Sequence, residues 1–329
     1  MFFGKLAIST KQDQEQIMKA IYIEQYGNEN QLTLGQLTKP TITDNQVLIK
    51  VQGAAVNPVD WMVREGFLQD SGEHQLPLIL GWDAAGEIAE IGKDVHDFTV
   101  GDGVFTYAPI AKQGAYAEYI AVDSDLVAAK PQSIDTLTAA AVPLAATTAW
   151  QSLVYGCKLK AGERILIHNA SGGVGSFAVQ IAKSLGAYVI GTASASKADF
   201  VKSLGVDEFI DYRSQRFEDV IKGEVDSVLA AVGGDDILQR SLQIIKNGGE
   251  LVSLLDDVDI AAATAKNINA QRWWVTPSAA DLQSIAALID NGEMSVHIDK
   301  IFPFADVQQA HALSESQRAR GKIVLQVSA

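Results

Sequence analysis

The run from Glu163 to Gly175, ERILIHNASGGVG, constrains this chain more than any other stretch. Its apolar centre, Ile165 to Ile167, has the length and character of a strand buried in a parallel sheet. The turn Ala170, Ser171, Gly172, Gly173, Val174, Gly175 breaks it. From Ser176 to Leu185 the apolar residues Phe177, Val179, Ile181, Ala182 and Leu185 then recur at helical spacing. Strand, glycine turn and helix in this order form the pyrophosphate seat of a dinucleotide-binding βαβ unit. Gly172 lets the backbone approach the phosphates, Gly175 lets helix and strand close on each other, and the helix N-terminus supplies amide donors. Ala170 stands where the usual G-x-G-x-x-G pattern has its first glycine, and the flanks on both sides outweigh that departure.

The second strand of the unit, Ala187 to Thr192, selects the dinucleotide. NAD-binding units usually end this strand on an acid that accepts hydrogen bonds from both ribose hydroxyls. Here Thr192, Ala193, Ser194, Ala195, Ser196 and Lys197 follow, with no acid before Asp199. A carboxylate would repel a 2′-phosphate, whereas the Ser194 hydroxyl and the Lys197 ammonium attract one. The bland alternative makes Ser194 a helix N-cap and leaves Lys197 in water, and both readings are compatible. The cofactor expected is NADPH.

Composition sets the class. Among 329 residues, 47% are hydrophobic and only 20% charged, which excludes a disordered chain and allows two domains. A formal net charge of −14 argues against nucleic acid and anionic membrane surfaces as partners. The single cysteine, Cys157, excludes an internal disulfide framework and a cysteine-rich zinc site. No apolar run reaches the ~20 residues of a spanning helix, and residues 1–17 lack a signal-peptide core. They read as a loosely held extension, and a cytoplasmic address is expected.

The pattern changes twice along the chain. From Lys19 to about Val127 the segments are short and β-like: 20–24, 46–56, 86–91 and 116–122, separated by turn signals such as Lys39-Pro40 and Gly101-Asp102-Gly103. That spells a barrel-like antiparallel domain. From about Ala139 helices and strands alternate. An alanine-rich helix over 139–156, interrupted near Pro143, precedes the glycine turn. Strands are expected at 208–211, 227–231, 250–254 and 271–276, and a helix at 279–289 ends on Asn291-Gly292. The tail, 296–302 and 322–327, returns to β character and is expected to rejoin the first domain. The fold class is α/β: a β-barrel domain (18–143 and 293–329) beside a doubly wound parallel sheet (144–292).

From Met18 onward the chain resembles the medium-chain dehydrogenase/reductase superfamily, and within it the zinc-free NADPH:quinone oxidoreductases and enone reductases. The likeness rests on AVNPVDW from Ala55 to Trp61, LGWDAAG from Leu80 to Gly86 and VGDGV from Val100 to Val104. It continues through GAYAEY from Gly114, AVPL from Ala141, TTAW from Thr147, the glycine turn, Ile210-Asp211-Tyr212 and ARGKIV from Ala319. The resemblance implies a GroES-like catalytic domain, a Rossmann domain and a homodimer. Carried across, it implies that Thr148, Ser171, Gly172, Gly173, Val174 and Gly175 line the cofactor. Ser194, Lys197 and Tyr212 would surround the 2′-phosphate, and the backbone near Val232 and Leu254 would meet ribose or nicotinamide. The chain departs from the pattern at Met62 and Gln151, where many quinone reductases carry tyrosine.

Zinc alcohol dehydrogenases of this superfamily hold their catalytic metal with an early cysteine and a Gly-His-Glu motif. The first position looks like Asn57 here, and the motif reads Gly81-Trp82-Asp83. Tryptophan cannot ligate, Asn57 is a poor ligand and Asp83 alone is not a site, so no metal is expected. His74, His96, His168, His297 and His311 show no ligand spacing, and His168, at the end of a buried strand, reads as a satisfied core histidine. Asp256, Asp257 and Asp259 read as a solvated loop.

Without zinc, hydride delivery to a plain ketone lacks a Lewis acid, and no convincing proton donor stands at the expected place. Quinones and α,β-unsaturated carbonyls need less help, because the charge they acquire is delocalised. Pocket candidates are Asn57, Trp61, Trp82 and Tyr107. Asn57 would hydrogen-bond the cofactor ribose or the substrate carbonyl, and ordinary core packing is an equal reading for the tryptophans. The expected function is reduction of a quinone or enone. Alternatives are a reductase of acryloyl-type thioesters, against which the acidic charge balance argues, and a non-catalytic NADPH-binding protein.

Overall fold

In a computed structural model, residues 16–234 and 236–328 are described. Of the extension expected over 1–17, all but Gln16 and Ile17 lies outside them. Ile17 already opens the first strand, Ile17–Ile23, paired opposite Thr38.

Six parallel strands form one sheet: Arg164–His168, Tyr188–Ala193, Glu208–Asp211, Val225–Ala230, Ile245–Ser253 and Asn269–Arg272. Numbered along the chain, their spatial order is third, second, first, fourth, fifth, sixth. Both faces are covered, which is why the central strands Arg164–His168 and Tyr188–Ala193 read as near-continuous apolar runs rather than alternations. The order reverses between Arg164–His168 and Val225–Ala230, paired with Ala230 opposite His168. Doubly wound sheets bind ligands in the crevice outside the carboxyl ends of the strands at such a reversal.

The second body is the GroES-like barrel. The 11-residue strand Gln46–Val56 is its spine, paired antiparallel with Asp83–Ile91, Tyr119–Asp123 and the C-terminal strand Lys322–Gln326. The tail therefore returns to the first domain. Its register sets Ile323 opposite Val56, while Asp83 lies opposite both Ala55 and Tyr107. Asn57, Asp83, Tyr107 and Lys322 thus collect at one end of the barrel, although they come from four strand ends far apart in the chain.

The alanine-rich helix is interrupted at Pro143 as expected, into Thr136–Ala140 and Pro143–Gln151 with a widened turn over Ser152–Gly156, because proline at the first helical position cannot continue the preceding helix. Two differences from expectation have physical causes. The last parallel strand stops at Arg272: Trp273 N–H bonds Ser253 O, and the chain then leaves the sheet, setting the Trp274 ring 5.9 Å from Phe67 of the barrel. The helix Val307–Glu315 was not foreseen, since its buried residues are Val307, Ala310 and His311, a weak apolar signal. Among the described residues no helix is long and apolar enough to cross a membrane.

Candidate functional site at the junction of barrel and parallel sheet

The glycine turn sits at the carboxyl end of Arg164–His168 and opens the 12-residue helix Gly173–Ser184. An added Cβ at Gly175 would lie 2.1 Å from Asn169 O and 2.8 Å from Ala170 Cα, so helix and strand meet here only because no side chain intervenes. At Gly172 an added Cβ would meet the Asn169 side chain at 2.6 Å. The cradle suits a pyrophosphate: free amides at a helix N-terminus, with backbone unshielded by side chains. Val232 and Leu254 follow the neighbouring strands Val225–Ala230 and Ile245–Ser253 along the same edge, with Leu254 N–H bonded to Ala230 O. Thr148 is buried on the helix Pro143–Gln151, its hydroxyl donating to Leu144 O at 2.8 Å.

Beyond the turn, the second strand ends at Ala193, and Ser194 Oγ lies 3.1 Å from Ser196 Oγ. Lys197 Nζ donates to Ala319 O at 3.0 Å. Partial burial lowers the Lys197 pKa, Asp299 opposes that shift, and the nearby charges of Arg320 and Arg213 add to it. Exposed Tyr212 accepts from Arg213 Nε at 3.4 Å, and the Arg320 guanidinium stands 5.4 Å over the Phe200 ring. Three cations therefore gather where the sequence suggested one. Asp211 brings a carboxylate to the same edge, but Ser214 Oγ and the amides of Arg213 and Ala195 occupy it.

The opposite end of the cleft is a buried polar cluster. Asn57 precedes the helix Pro58–Arg64; its backbone N–H donates to Asp60 Oδ2 at 2.7 Å and its Nδ2 to Asp83 Oδ2 at 2.9 Å. Lys322 Nζ donates to Asn57 Oδ1 and lies 3.6 Å from Asp83 Oδ2, while Leu144 N–H donates to Asp83 Oδ1 at 2.6 Å. Lys322 is 3% exposed and Asp83 0%, so both charges are out of water. Desolvation pushes Asp83 up and Lys322 down, and each charge pulls the other back toward its ionised form. Behind them Tyr116 Oη donates to Asp60 Oδ2 at 2.9 Å, and His311 links Tyr116 Oη (3.3 Å) to Arg64 Nη1 (3.1 Å). Burial raises Asp60 to about 7 and lowers His311 to about 3, so His311 bridges as a neutral ring.

Of the pocket candidates, Asn57 and Tyr107 belong to this cluster. The charges of Asp83 and Asp60 act on the Tyr107 phenol and, with burial as the larger cause, hold its pKa above the ordinary range. Trp61 is half-buried, with an indole N–H that meets no partner among the described residues. Trp82 has to be removed from the site. It is fully buried in the barrel core, gives its indole N–H to Lys112 O at 3.0 Å, and stacks on His74. Asp83, set aside as a lone acid, is instead the centre of a bonded group. Lys322, Asp60 and Tyr116 bear or share protons near this end, but each is buried and held by a neighbour. His168 sits in the core, between Thr192 Oγ1 and Ser241 Oγ.

Comparison with known proteins agrees with this construction. Residues 43–132 match the alcohol dehydrogenase GroES-like domain and residues 204–325 the zinc-binding dehydrogenase domain. The chain is 36% identical to the NADPH-dependent alkenal/one oxidoreductase, chloroplastic, of Arabidopsis thaliana, over 94% of this chain and 79% of that one. The chain belongs to the medium-chain dehydrogenase/reductase family. A second relative, the 2-methylene-furan-3-one reductase of Solanum lycopersicum, is 34% identical, again over 94% of this chain and 79% of that protein. The quinone oxidoreductase from Coxiella burnetii superposes with a TM-score of 0.89 at 34% identity, covering 95% of this chain and 100% of that one.

One member domain is described as zinc-binding, so the donor set here matters. Trp82 Nε1 is a committed donor, and an ammonium already occupies the space between Asn57 Oδ1 and Asp83 Oδ2. A zinc ion needs three or four converging Cys, His or carboxylate ligands, and these residues do not fit one. No group of three His, Cys, Asp or Glu converges as metal ligands among the described residues. Sequence reasoning missed Lys322, Arg213 and Arg320. Lys322 and Arg320 lie inside the ARGKIV motif that carries the family resemblance, and that motif was the signal available.

Proposed function

We propose that this medium-chain dehydrogenase/reductase is an NADPH-dependent reductase of quinones or α,β-unsaturated carbonyls that works without zinc. The observation that carries the reading is the buried Lys322, whose ammonium bonds the very side chains, Asn57 and Asp83, that stand where zinc-holding members place ligands. The relatives' names, an alkenal/one oxidoreductase, a 2-methylene-furan-3-one reductase and a quinone oxidoreductase, point to the same acceptor class.

NADPH, when bound, supplies the hydride; the residues here bind, orient and stabilise. The turn Ser171 to Gly175 would hold the pyrophosphate, with the amides of Gly173 to Gly175 as its donors since Gly172 N–H is given to Asn169 O, and Ser194, Lys197 and Tyr212, joined by Arg213 and Arg320, would hold the 2′-phosphate. The negative charge that a quinone or enone acquires at oxygen is delocalised, and a preorganised donor at that oxygen stabilises it further. Asn57, Trp61 and Tyr107 are the donors proposed for that end, where Asn57 and Tyr107 are buried. The proposal includes a homodimer in the cytoplasm. A charge of −14 leaves nucleic acid out of the reading.

Oxidation of NADPH by the purified protein, assayed against 1,4-quinones, enones, saturated ketones and acryloyl thioesters beside elemental analysis, tests this. Turnover of quinones or enones with no stoichiometric zinc is expected. About one tightly held zinc per chain, with activity lost on its removal, would overturn the mechanism. Preference for acyl thioesters would redirect the substrate.

A further inference from the structure

Lys322 is anchored before its side chain is considered. Its backbone N–H donates to His297 O at 2.8 Å, and Gly321 N–H donates to Ser171 O, beside the glycine turn, at 3.1 Å. Gly321 sits at φ 80°, and an added Cβ there would lie 2.2 Å from His297 O, so glycine is required for this approach. The stem then passes Gly173, where an added Cβ would lie 3.2 Å from Lys322 Cδ, and ends buried between Asn57 and Asp83.

The chemistry of these three groups allows one arrangement of the Asn57 amide. An ammonium only donates, so the atom it meets is Oδ1; a carboxylate only accepts, so the atom it meets is Nδ2. Reversing the amide would turn its NH2 toward the ammonium and its oxygen toward the carboxylate, two repulsive contacts without water to soften them. Oδ1 is taken by Lys322 and one N–H of Nδ2 by Asp83. The second N–H of Nδ2 is the one polar group of this amide left uncommitted. The backbone of the same residue is held independently by Asp60, itself braced by Tyr116.

We propose that Lys322 is a positioning residue: it locks Asn57 so that the amide offers an N–H, and never its oxygen, to the oxygen of the acceptor. The inference rests on the reductase reading and deepens it. An ammonium on Oδ1 polarises the amide and strengthens its N–H as a donor. Such a donor acts most where negative charge develops at the acceptor oxygen, and so in the transition state more than in the bound substrate. A ribose hydroxyl can only accept from Asn57 in this arrangement, which removes half of the contacts an unlocked asparagine would make.

The test is a double-mutant cycle on Lys322→Met and Asn57→Ala, reading kcat and KM for an enone and, separately, the Kd for NADPH by fluorescence. Each single variant is expected to lower kcat about a hundredfold, in the range seen when one oxyanion donor is removed, with the Kd within about threefold of wild type. The double variant is expected to be no worse than either single, because both remove the same interaction. Additive losses, or a Kd that weakens as much as kcat falls, would overturn the inference and make Lys322 a cofactor ligand. Should Lys322→Met not fold, Asn57→Asp keeps an oxygen for Lys322 and removes the amide N–H; wild-type kcat in that variant would equally overturn it. A wild-type protein inactive on every acceptor defeats the reductase reading itself, whereas an active wild type with unaffected variants defeats this inference alone.

Discussion

The proposed phosphate seat and the proposed reacting end are built by opposite means. At the glycine turn the groups on offer are backbone amides, all within a few residues, and what the sequence supplies is the absence of side chains. At the reacting end the working groups are side chains, and Lys322 and Asn57, the pair that defines the end, are separated by 265 positions. The first site is local and intolerant of added atoms. The second is non-local, and intolerant of lost partners.

That contrast is broken most forcefully at Lys322. Removing one member of a buried ion pair leaves the other charge uncompensated, so Lys322→Met is expected to cost about 3–5 kcal/mol of stability, while Lys322→Met combined with Asp83→Asn, which removes both charges and keeps an acceptor beside Leu144 N–H, recovers part of it. Urea unfolding checks this; a single variant as stable as wild type would mean that the pair is not ionised. On the backbone side, Gly175→Ala drives a methyl into Asn169 O and Ala170 Cα, which cannot step aside, with an expected loss of about 1–3 kcal/mol and of NADPH binding. Gly173→Ala presses on the flexible stem of Lys322, with Gly321 O at an ordinary contact distance of 3.6 Å, and should cost far less. Equal losses at the two glycines would erase the distinction between an occupied and an open face of the turn.

Acid sharpens the comparison further. Both halves bury a neutral histidine, His168 beneath the turn and His311 in the barrel cluster, each lowered to about 3 chiefly by desolvation. Unfolding lets each take up a proton below its ordinary pKa near 6.5. The stability each contributes is therefore complete above about pH 6.5 and lost as pH falls toward 3, by about 1.4 kcal/mol per unit at most. Asp60, raised to about 7, acts with the opposite sign: its contribution is present below its ordinary pKa of 3.8 and lost as pH rises through about 7. Asp83, also raised by burial, acts with the same sign as Asp60, so the histidine part is isolated by a variant: His168→Gln should make stability fall less steeply on acidification between pH 6.5 and 4.5. An unchanged slope in that variant would show that His168 is protonated in the fold. The smallest effect is at the adenosine edge. Lys197→Ala is expected to weaken NADPH about tenfold, about 1.4 kcal/mol, with NADH nearly unaffected, because only the phosphate distinguishes the two. Equal weakening of both cofactors in a titration would mean that Lys197 acts by holding Ala319.

What was legible in the sequence follows the same division. The strands 46–56 and 208–211 and the whole strand–turn–helix around Gly172 could be read because their signals, apolar runs and glycines, are local. The barrel's return strand was legible as a β pattern, but not its register. Register alone puts Lys322 beside Asn57, so in the sequence this lysine is one letter of a motif with no visible role. Asp83 looks like a lone acid because its partners lie in other strands. Trp82 looks like a site residue because an aromatic beside a site motif has the same sequence signature whether it faces the cleft or the core. Arg213 and Arg320 reach the adenosine edge from segments that sequence spacing does not connect to Lys197.

The central claim, that a site organised around an ammonium and an amide rather than a metal reduces conjugated acceptors, is tested most directly by one ratio. We expect kcat/KM with NADPH, measured after exhaustive chelation, to favour cyclohexenone over cyclohexanone by at least about a hundredfold, about 2.7 kcal/mol of barrier. Comparable values for the two, or loss of the enone activity on chelation, would contradict the account.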